Sequence, residues 1–371
     1  MKKILFCKQE VGAKGGLEKY AERLLKAFVQ RGCEVSLATS SPNVTFEGVK
    51  PVHLPISGIF GFQRLKSWDT ATKEYSKNHP HDLIFTLDRI TSATHIRAGN
   101  GVHASYLQKR NDGLLRRLSF KVNPLHQTIL NLESEGLQSN NLRTIIVNSN
   151  MVKEEIINYY NVDPAKISVH HNGVEYDELS SAFAEWQTTK LQLQQELNLS
   201  PDLYTVLFAG HHYKRKGLDN LLLGLALVPD IQLLVVGKEK NLARYRSLVH
   251  HLGLARRVHF LGQRSDMRRL YAACDALAVP SLYDPFANVT IEALGMGLFV
   301  VSSSFNGGKE ILNSTCGSVI EDLFDPTSVA HSLKAALDFP KTVESANAIR
   351  ANFSSFNFTS RLPKLIDACL N

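Results

Sequence analysis

The sequence predicts an α/β protein made of two consecutive domains, and three observations predict it. At 371 residues the chain is long for a single core. Short apolar runs alternate with stretches of helical periodicity from the first residues onward. A second strand–loop–helix series begins at Tyr204, after a polar, Gln-rich segment at 178–200 that reads as a connecting helix.

Bulk properties narrow the function classes. With 44% hydrophobic and 21% charged residues, the composition is that of a globular chain. The net charge of +7 favours an anionic partner, and nucleic acid, anionic lipid and phosphorylated glycan all satisfy it. Cys7, Cys33, Cys274, Cys316 and Cys369 are scattered, odd in number and form no C-x-x-C, the pattern of core thiols in a reducing cytosol. The opening MKKILFCKQEVG has the charge order of a signal peptide, but its apolar run is too short and reads as a first strand. No stretch approaches the ~20 apolar residues of a membrane span. The expectation is a cytoplasmic protein whose membrane contact is peripheral.

In the first half, residues 4–7 form the first strand. Gly12, Ala13, Lys14, Gly15 and Gly16 make the loop after it, and Leu17, Tyr20, Ala21, Leu24, Leu25 and Phe28 mark one face of a helix that stops at Gly32. The glycine pair is either a plain tight turn or a place where backbone approaches a ligand; it fits neither G-x-G-x-x-G nor a Walker loop. Strands follow at 34–39, 49–54 and 83–87. The segment RAGNGVHA at 97–104 places Asn100 and His103 in a glycine-containing loop at a strand end. Next, residues 106–125 interleave Lys109, Arg110, Arg116, Arg117 and Lys121 with leucines and Phe120. This is a pattern for an acceptor or an anionic lipid interface, for phosphate contact, or for a solvated basic face. A strand at 144–148 and a helix at 151–160 lead to His170 and His171. These adjacent side chains point to opposite sides of an extended chain and so do not share a metal.

In the second half, the strand at 204–209 runs into the loop Gly210 to Gly217, which carries Lys214, Arg215 and Lys216 just before a helix. Three cations beside free helix amides make either a diphosphate site whose charge can stabilise a leaving group or a solvated basic turn. A strand at 258–261 ends at Gly262, Gln263 and Arg264. The stretch at 281–301, SLYDPFANVTIEALGMGLFVV, then reads as turn, helix and strand within a βαβ unit. Asp284 and Phe286 lie in its turn, Ala287, Asn288 and Val289 at its helix start, and Glu292 within the helix. One carboxylate suits a sugar and the other a ribose, whereas an ordinary corner would use the Asp as a cap. Asn306-Gly307-Gly308-Lys309-Glu310 is a further turn into a helix, but Ser303 denies it the P-loop pattern. A helix at 326–337 follows, and a final one at 359–370 folds back onto the first domain.

The turn and helix around Asp284 and Glu292 resemble the E-x7-E segment of retaining family 4 glycosyltransferases, with Asp in the first position. Phosphate loop, base loop, this segment and the glycine turn occur in the family's order, and RAGNGVH with YDPFANVTIEALGMG resembles the lipopolysaccharide-core, heptose-directed glucosyltransferases in particular. The resemblance implies a GT-B fold: two Rossmann-like domains facing a cleft, 1–172 with 356–371 returning to it on the acceptor side, and 173–355 on the nucleotide-sugar side. It implies a donor site of Gly15, Gly16, Gly210, Arg215, Lys216, Gln263, Arg264, Asp284, Phe286, Ala287, Asn288, Val289 and Glu292. His103 would contact the transferring sugar, with Asn100 nearby. His211 departs from the Arg usual at its position. The chain has no Asp-x-Asp, so the resemblance implies a metal-independent transfer in which the departing phosphate oxygen takes the acceptor's proton. The implied donor is uridine diphosphate glucose, the acceptor a lipopolysaccharide core or related glycan, and neither cofactor nor nucleic acid is expected. Against this stand a nicotinamide-dependent oxidoreductase or epimerase, which would need G-x-G-x-x-G and Tyr-x-x-x-Lys, and a non-catalytic basic protein that binds nucleic acid or membrane.

Overall fold

The structure is a computed structural model that describes residues 1–11, 16–110, 120 and 122–370, with backbone alone for 16–19. The chain divides into two compact units, Met1–His171 with Leu362–Asn371, and Asn172–Arg361.

The first unit contains β1 (Lys3–Cys7), α1 (Gly16–Gln30), β2 (Glu34–Thr39), β3 (Val49–His53), α2 (Gly61–Asn78), β4 (Leu83–Thr86), β5 (His95–Arg97), α3 (His103–Lys109), α4 (Pro124–Leu137), β6 (Thr144–Val147), α5 (Asn150–Tyr160) and β7 (Ile167–Val169). Its strands form a seven-stranded sheet in the order β3-β2-β1-β4-β5-β6-β7. Every pairing within it is parallel. Helices cover both faces, so the strands are apolar on both. Ile4 and Phe6 point to one face, among Leu24, Phe28 and Phe85. Leu5 and Cys7 point to the other, among Trp68, Ile90, Val147 and Val152. Each such fully buried side chain contributes roughly 1.5–3 kcal/mol of burial free energy. Helix α4 starts where Asn123 Oδ1 accepts from the amides of Leu125 at 2.9 Å and His126 at 3.4 Å, with Pro124 in the first helical position.

The second unit contains α6 (Tyr176–Ala184), α7 (Trp186–Glu196), β8 (Tyr204–Ala209), α8 (Leu218–Leu225), β9 (Ile231–Val236), α9 (Leu242–His251), β10 (Val258–Gly262), α10 (Met267–Ala273), β11 (Ala276–Val279), α11 (Asn288–Gly295), β12 (Phe299–Ser303), β13 (Gly317–Ile320), α12 (Pro326–Leu337) and α13 (Val343–Ala351). Its six-stranded sheet runs β10-β9-β8-β11-β12-β13, again parallel throughout. Renumbered from β8, this is the doubly wound order 3-2-1-4-5-6, which reverses direction between β8 and β11. Ligands of such sheets sit beyond the carboxyl ends of the strands at that reversal. The connecting segment is two helices, α6 and α7, where the sequence suggests one. The segment after Asn306 is a single 3-10 turn, Gly307–Ile311, where the sequence suggests a helix.

The last helix, α14 (Phe358–Leu370), belongs to both units. Its start stays with the second, because Val174 donates to Phe356 O at 2.8 Å and Phe358 donates to Val174 O at 3.1 Å. The return to the first unit thus begins at Leu362 rather than at 356. Leu365, Ile366 and Cys369 complete the core on the β1 face. All five cysteines are buried and free. Among the described residues no helix is long and apolar enough to cross a membrane.

Candidate active site

The carboxyl ends of β8, β11 and β12 in the second unit carry three loops that are tied together by their main chains. The loop after β8 is anchored by Tyr213, which is 1% exposed and donates its hydroxyl proton to Gly237 O at 2.9 Å. Its ring packs edge-on against Phe208 and Tyr245. The loop closes at Gly217, whose φ is 77°; a Cβ there would lie 1.7 Å from Pro280 O. Only glycine permits that approach, and it presses Lys216 against the end of β11. Leu282 donates to Arg215 O at 3.0 Å, and a guanidinium nitrogen of Arg215 reaches Tyr283 O at 3.5 Å. Lys216 Nζ then meets Asp284 Oδ2 at 2.5 Å, with the two side chains 15% and 11% exposed. Gly210 leaves room for the stem of Lys216, since a Cβ at that position would lie 2.9 Å from its Cγ.

Asp284 is fixed by its backbone as well, donating to Phe305 O at 3.0 Å and accepting from Gly307 at 2.9 Å. The neighbouring Asn306 is fully buried. Its Oδ1 accepts from the amides of Ala287 at 3.2 Å and Gly308 at 3.0 Å, while its Nδ2 donates to Ser302 Oγ at 3.0 Å. The Ala287 amide is therefore taken by the protein and is not one of the anion-binding amides expected from sequence. Among the described residues the amides of Asn288 and Val289, at the start of α11, have no internal acceptor. Phe286 also departs from expectation: its side chain is 4% exposed and lies in the core with Ile291 and Leu294, so it is not offered to a ligand.

Glu292 lies one turn into α11 and is half-buried, accepting the Tyr271 hydroxyl at 2.7 Å. Burial raises its carboxyl above the usual range, opposed by that hydrogen bond and by the charge of Arg268. After β10, the Gln263 side chain is exposed and the Arg264 guanidinium is held by Asp266 at 2.6 Å. Main chain from this loop joins the loop after β9, with Gly237 donating to Gly262 O at 2.8 Å. His211 Nδ1 accepts from the amide of Lys238 at 2.8 Å, a structural contact.

In the first unit, His103 opens α3. Its N-cap residue is Val102, which has no side-chain acceptor, so the capping acceptor comes from elsewhere in the chain. Glu133 on α4 accepts from the His103 amide at 3.1 and 2.9 Å through its two oxygens. The same carboxylate, 6% exposed, receives Arg89 at 3.2 Å and the Tyr160 hydroxyl at 2.9 Å. The ring Nε2 of His103 lies 3.0 Å from Nδ1 of His126. Burial, then the charge of Arg89, pushes the His103 imidazole down to about 4, with His126 and Arg110 acting in the same direction. Asn100 lines an adjoining cavity together with Arg89, Arg97, Val102, Leu132 and Glu133.

Two cations of the basic stretch, Lys109 and Arg110, are among the described residues, and both have partners. Lys109 pairs with the buried Glu155 at 2.5 Å, which also accepts from Ser105 Oγ at 2.7 Å. The Arg110 guanidinium lies over the rings of Tyr106 and Phe120, at 5.6 and 4.8 Å. Both cations are thus engaged within the unit. Arg116, Arg117, Lys121 and Gly15 lie outside the described residues, and Gly16 is the first residue of α1.

Glu133, His126, Arg89, Tyr160, Tyr271 and Asn306 are the site residues that sequence reasoning did not assign. Their partners lie far along the chain, and no local pattern marks a carboxylate that caps a helix thirty residues away. The nearest local signal is Asn123-Pro124, a helix start that places His126 and Glu133 two turns apart on one helix.

With this geometry in hand, similarity to known proteins is informative. Residues 14–178 match the family described as Glycosyltransferase Family 4, and residues 189–353 match the family described as Glycosyl transferases group 1. The chain is 27% identical to D-inositol 3-phosphate glycosyltransferase of Mycobacterium sp. (strain KMS) over 88% of its own length and 78% of the relative's. It is 23% identical to lipopolysaccharide glucosyltransferase WaaG of Escherichia coli (strain K12), covering 90% and 89% of the two chains. The crystal structure of WaaG superposes with a TM-score of 0.75 at 21% identity over 99% and 98% of the chains. That of Anabaena HepE with UDP-glucose does so with a TM-score of 0.70 at 20% identity over 100% and 99%. The folds agree as two parallel-sheet, Rossmann-like domains of GT-B type. The chain is a glycosyltransferase, with a family 4 half followed by a group 1 half.

Proposed function

We propose that this enzyme moves a hexose, glucose in our reading, from a uridine diphosphate sugar to a hydroxyl of a lipopolysaccharide core or related glycan, with retention at the anomeric carbon. The observation that carries the reading is the Lys216–Asp284 pair, with Arg215 beside it, at the reversal point of the second sheet. A cation and a carboxylate side by side suit the diphosphate and the sugar of one donor. Arg215 and Lys216 meet the charge that grows on the diphosphate as the anomeric C–O bond breaks, and the amides of Asn288 and Val289 add to them. The scheme therefore needs no metal ion. Asp284 accepts from sugar hydroxyls, Glu292 from ribose hydroxyls, and main-chain groups at Gln263 and Arg264 read the base. His103 is assigned a contact to the transferred sugar. The acceptor oxygen bonds to the anomeric carbon on the face the diphosphate leaves, and its proton passes to the departing phosphate oxygen. The products are a glycoside and a nucleoside diphosphate.

Uridine diphosphate glucose is favoured by the names of HepE's ligand and of WaaG. The net charge of +7 is compatible with an anionic glycolipid acceptor met at the inner face of the cytoplasmic membrane. A panel of nucleotide sugars, read first by thermal shift and then by nucleoside diphosphate release, tests the donor. Uridine diphosphate glucose should raise Tm most and be turned over to an α-linked product with a lipopolysaccharide-core acceptor. Stabilisation by another nucleotide sugar alone would replace the donor, a β-linked product would refute retention, and no response to any nucleotide sugar would refute the site.

A further inference from the structure

Two histidines of the first unit share a hydrogen bond. Nε2 of His103 lies 3.0 Å from Nδ1 of His126, with ring centroids 5.1 Å apart and ring planes inclined by 33°. Two facing ring nitrogens hold one proton between them when both rings are neutral, so one donates and the other accepts. With both rings protonated, two N–H groups would oppose each other.

The surroundings enforce neutrality. Arg89 on the loop after β4 and Arg110 at the end of α3 bring positive charge toward His103, and Arg110 does so for His126 as well. Lys109, also on α3, is occupied by Glu155 of α5. The nearby carboxylate of Glu133 on α4 is taken up by the His103 amide, Arg89 and the Tyr160 hydroxyl of α5, and reaches neither ring. Burial lowers both imidazoles. His126 is also well placed to act as a fixed partner. It stands in the capped first turn of α4, and the ring of Phe120 packs against it edge-on at 5.2 Å and 83°.

We infer that His126 is a positioning residue for His103: its Nδ1 accepts the proton of His103 Nε2, which fixes the Nε2–H tautomer and leaves His103 Nδ1 as an acceptor for a hydroxyl of the transferred sugar. This assignment puts both rings in the Nε2–H form, the more stable tautomer of a free imidazole side chain; the reverse assignment would put both in the less stable one. Among the described residues no hydrogen bond reaches Nδ1 of His103. The inference rests on the reading of His103 as a sugar contact and adds how its ring is held.

Ring-nitrogen NMR of the full chain, with His103 assigned by its loss in His103→Gln, reads the tautomer directly. His103 is expected as a single Nε2–H form throughout the neutral range. In His126→Ala the two tautomers should mix and the titration of His103 should move upward. In the same variant kcat should fall by between about ten- and a hundredfold with the donor KM little changed, and the acid limb of kcat should shift to higher pH. His126→Gln, whose side-chain oxygen can accept the same proton, should restore both the tautomer and most of kcat. An Nδ1–H form in the wild type, an unchanged His103 spectrum in His126→Ala, or an unchanged kcat in that variant would each overturn the inference. Failure of the transferase reading looks different: the wild-type protein would release no nucleoside diphosphate from any donor, whatever the NMR shows.

Discussion

Lys216 and Asp284 stand 68 residues apart in the chain and 2.5 Å apart in space. They come from the loops after β8 and β11, which are neighbours because the sheet reverses its order between them. Both side chains are largely covered, so each charge needs a partner or a ligand. In the free protein they serve each other. In the proposed reaction a bound donor would supply the diphosphate for one and sugar hydroxyls for the other, and the pair would hold both charges in place before it arrives.

Lys216→Ala should therefore damage both stability and catalysis. It strands the Asp284 carboxylate, lowering Tm, and it should reduce nucleoside diphosphate release by about a hundredfold or more. The double variant Lys216→Met, Asp284→Asn removes both charges. It should be less destabilised than the sum of the singles while remaining inactive. Calorimetry on the wild type, Lys216→Met, Asp284→Asn and the double variant measures the coupling, and additive losses would mean that the two side chains do not interact.

Asn306→Ala should loosen the start of α11. The substitution leaves the amides of Ala287 and Gly308 without their acceptor in a buried setting, at a cost of about 1–3 kcal/mol for each amide that finds no water. Denaturant unfolding measures that loss, and hydrogen exchange should rise at Ala287 and Gly308 before it rises elsewhere in the sheet. Unchanged protection at both amides would show that the side chain does not hold the loop.

What the sequence makes legible and what it hides follow from the range of the interactions. Strand runs, the loop from Gly210 to Gly217 and the turn at Asp284 are local patterns, and a parallel sheet buried on both faces writes its strands as plain apolar runs. That local pattern also explains the errors. Phe286 reads as a donor contact because it lies in the turn between Asp284 and Asn288, but that turn directs its side chain into the core. Ala287 looked like a free helix-start amide because its acceptor, Asn306, belongs to the following loop. Lys109 looked like one of a row of surface cations because Glu155, its partner, lies 46 residues on. Glu133 carried no local mark at all, since a helix with Val102 at its N-cap advertises a missing cap without saying which residue supplies it.

The second carboxylate makes a pH-dependent prediction. Burial holds Glu292 above the usual range, and the Tyr271 hydroxyl counters by bonding the charged form. Tyr271→Phe removes that bond, so the protonated form of Glu292 should persist to higher pH. Because the carboxylate is the form assigned to the ribose hydroxyls, donor affinity should be lost at a higher pH in the variant than in the wild type as the solution is acidified. Titration of uridine diphosphate binding against pH checks this. Stability has the opposite leaning: a raised carboxyl favours the folded state below its unfolded value, and that contribution disappears as pH rises through the folded one. Glu292→Gln should accordingly gain stability relative to the wild type at neutral pH.

His103 has the reverse linkage. Its imidazole is lowered from 6.5 to about 4 in the folded protein, first by burial and then by Arg89. Between those values the unfolded chain binds a proton that the folded chain refuses, so folding stability must fall as pH drops through that window and level off below it. Above it, both states are neutral and the group contributes no slope. His103→Gln removes the titrating ring but keeps a polar side chain at the start of α3, where Glu133 still caps the main chain. Urea unfolding of the two proteins at pH 7 and at about pH 5 isolates the effect, because every other group titrates in both. The variant should lose less stability than the wild type on acidification. An equal loss would place the His103 proton in the folded state as readily as in the unfolded one, and would leave the neutral imidazole without support.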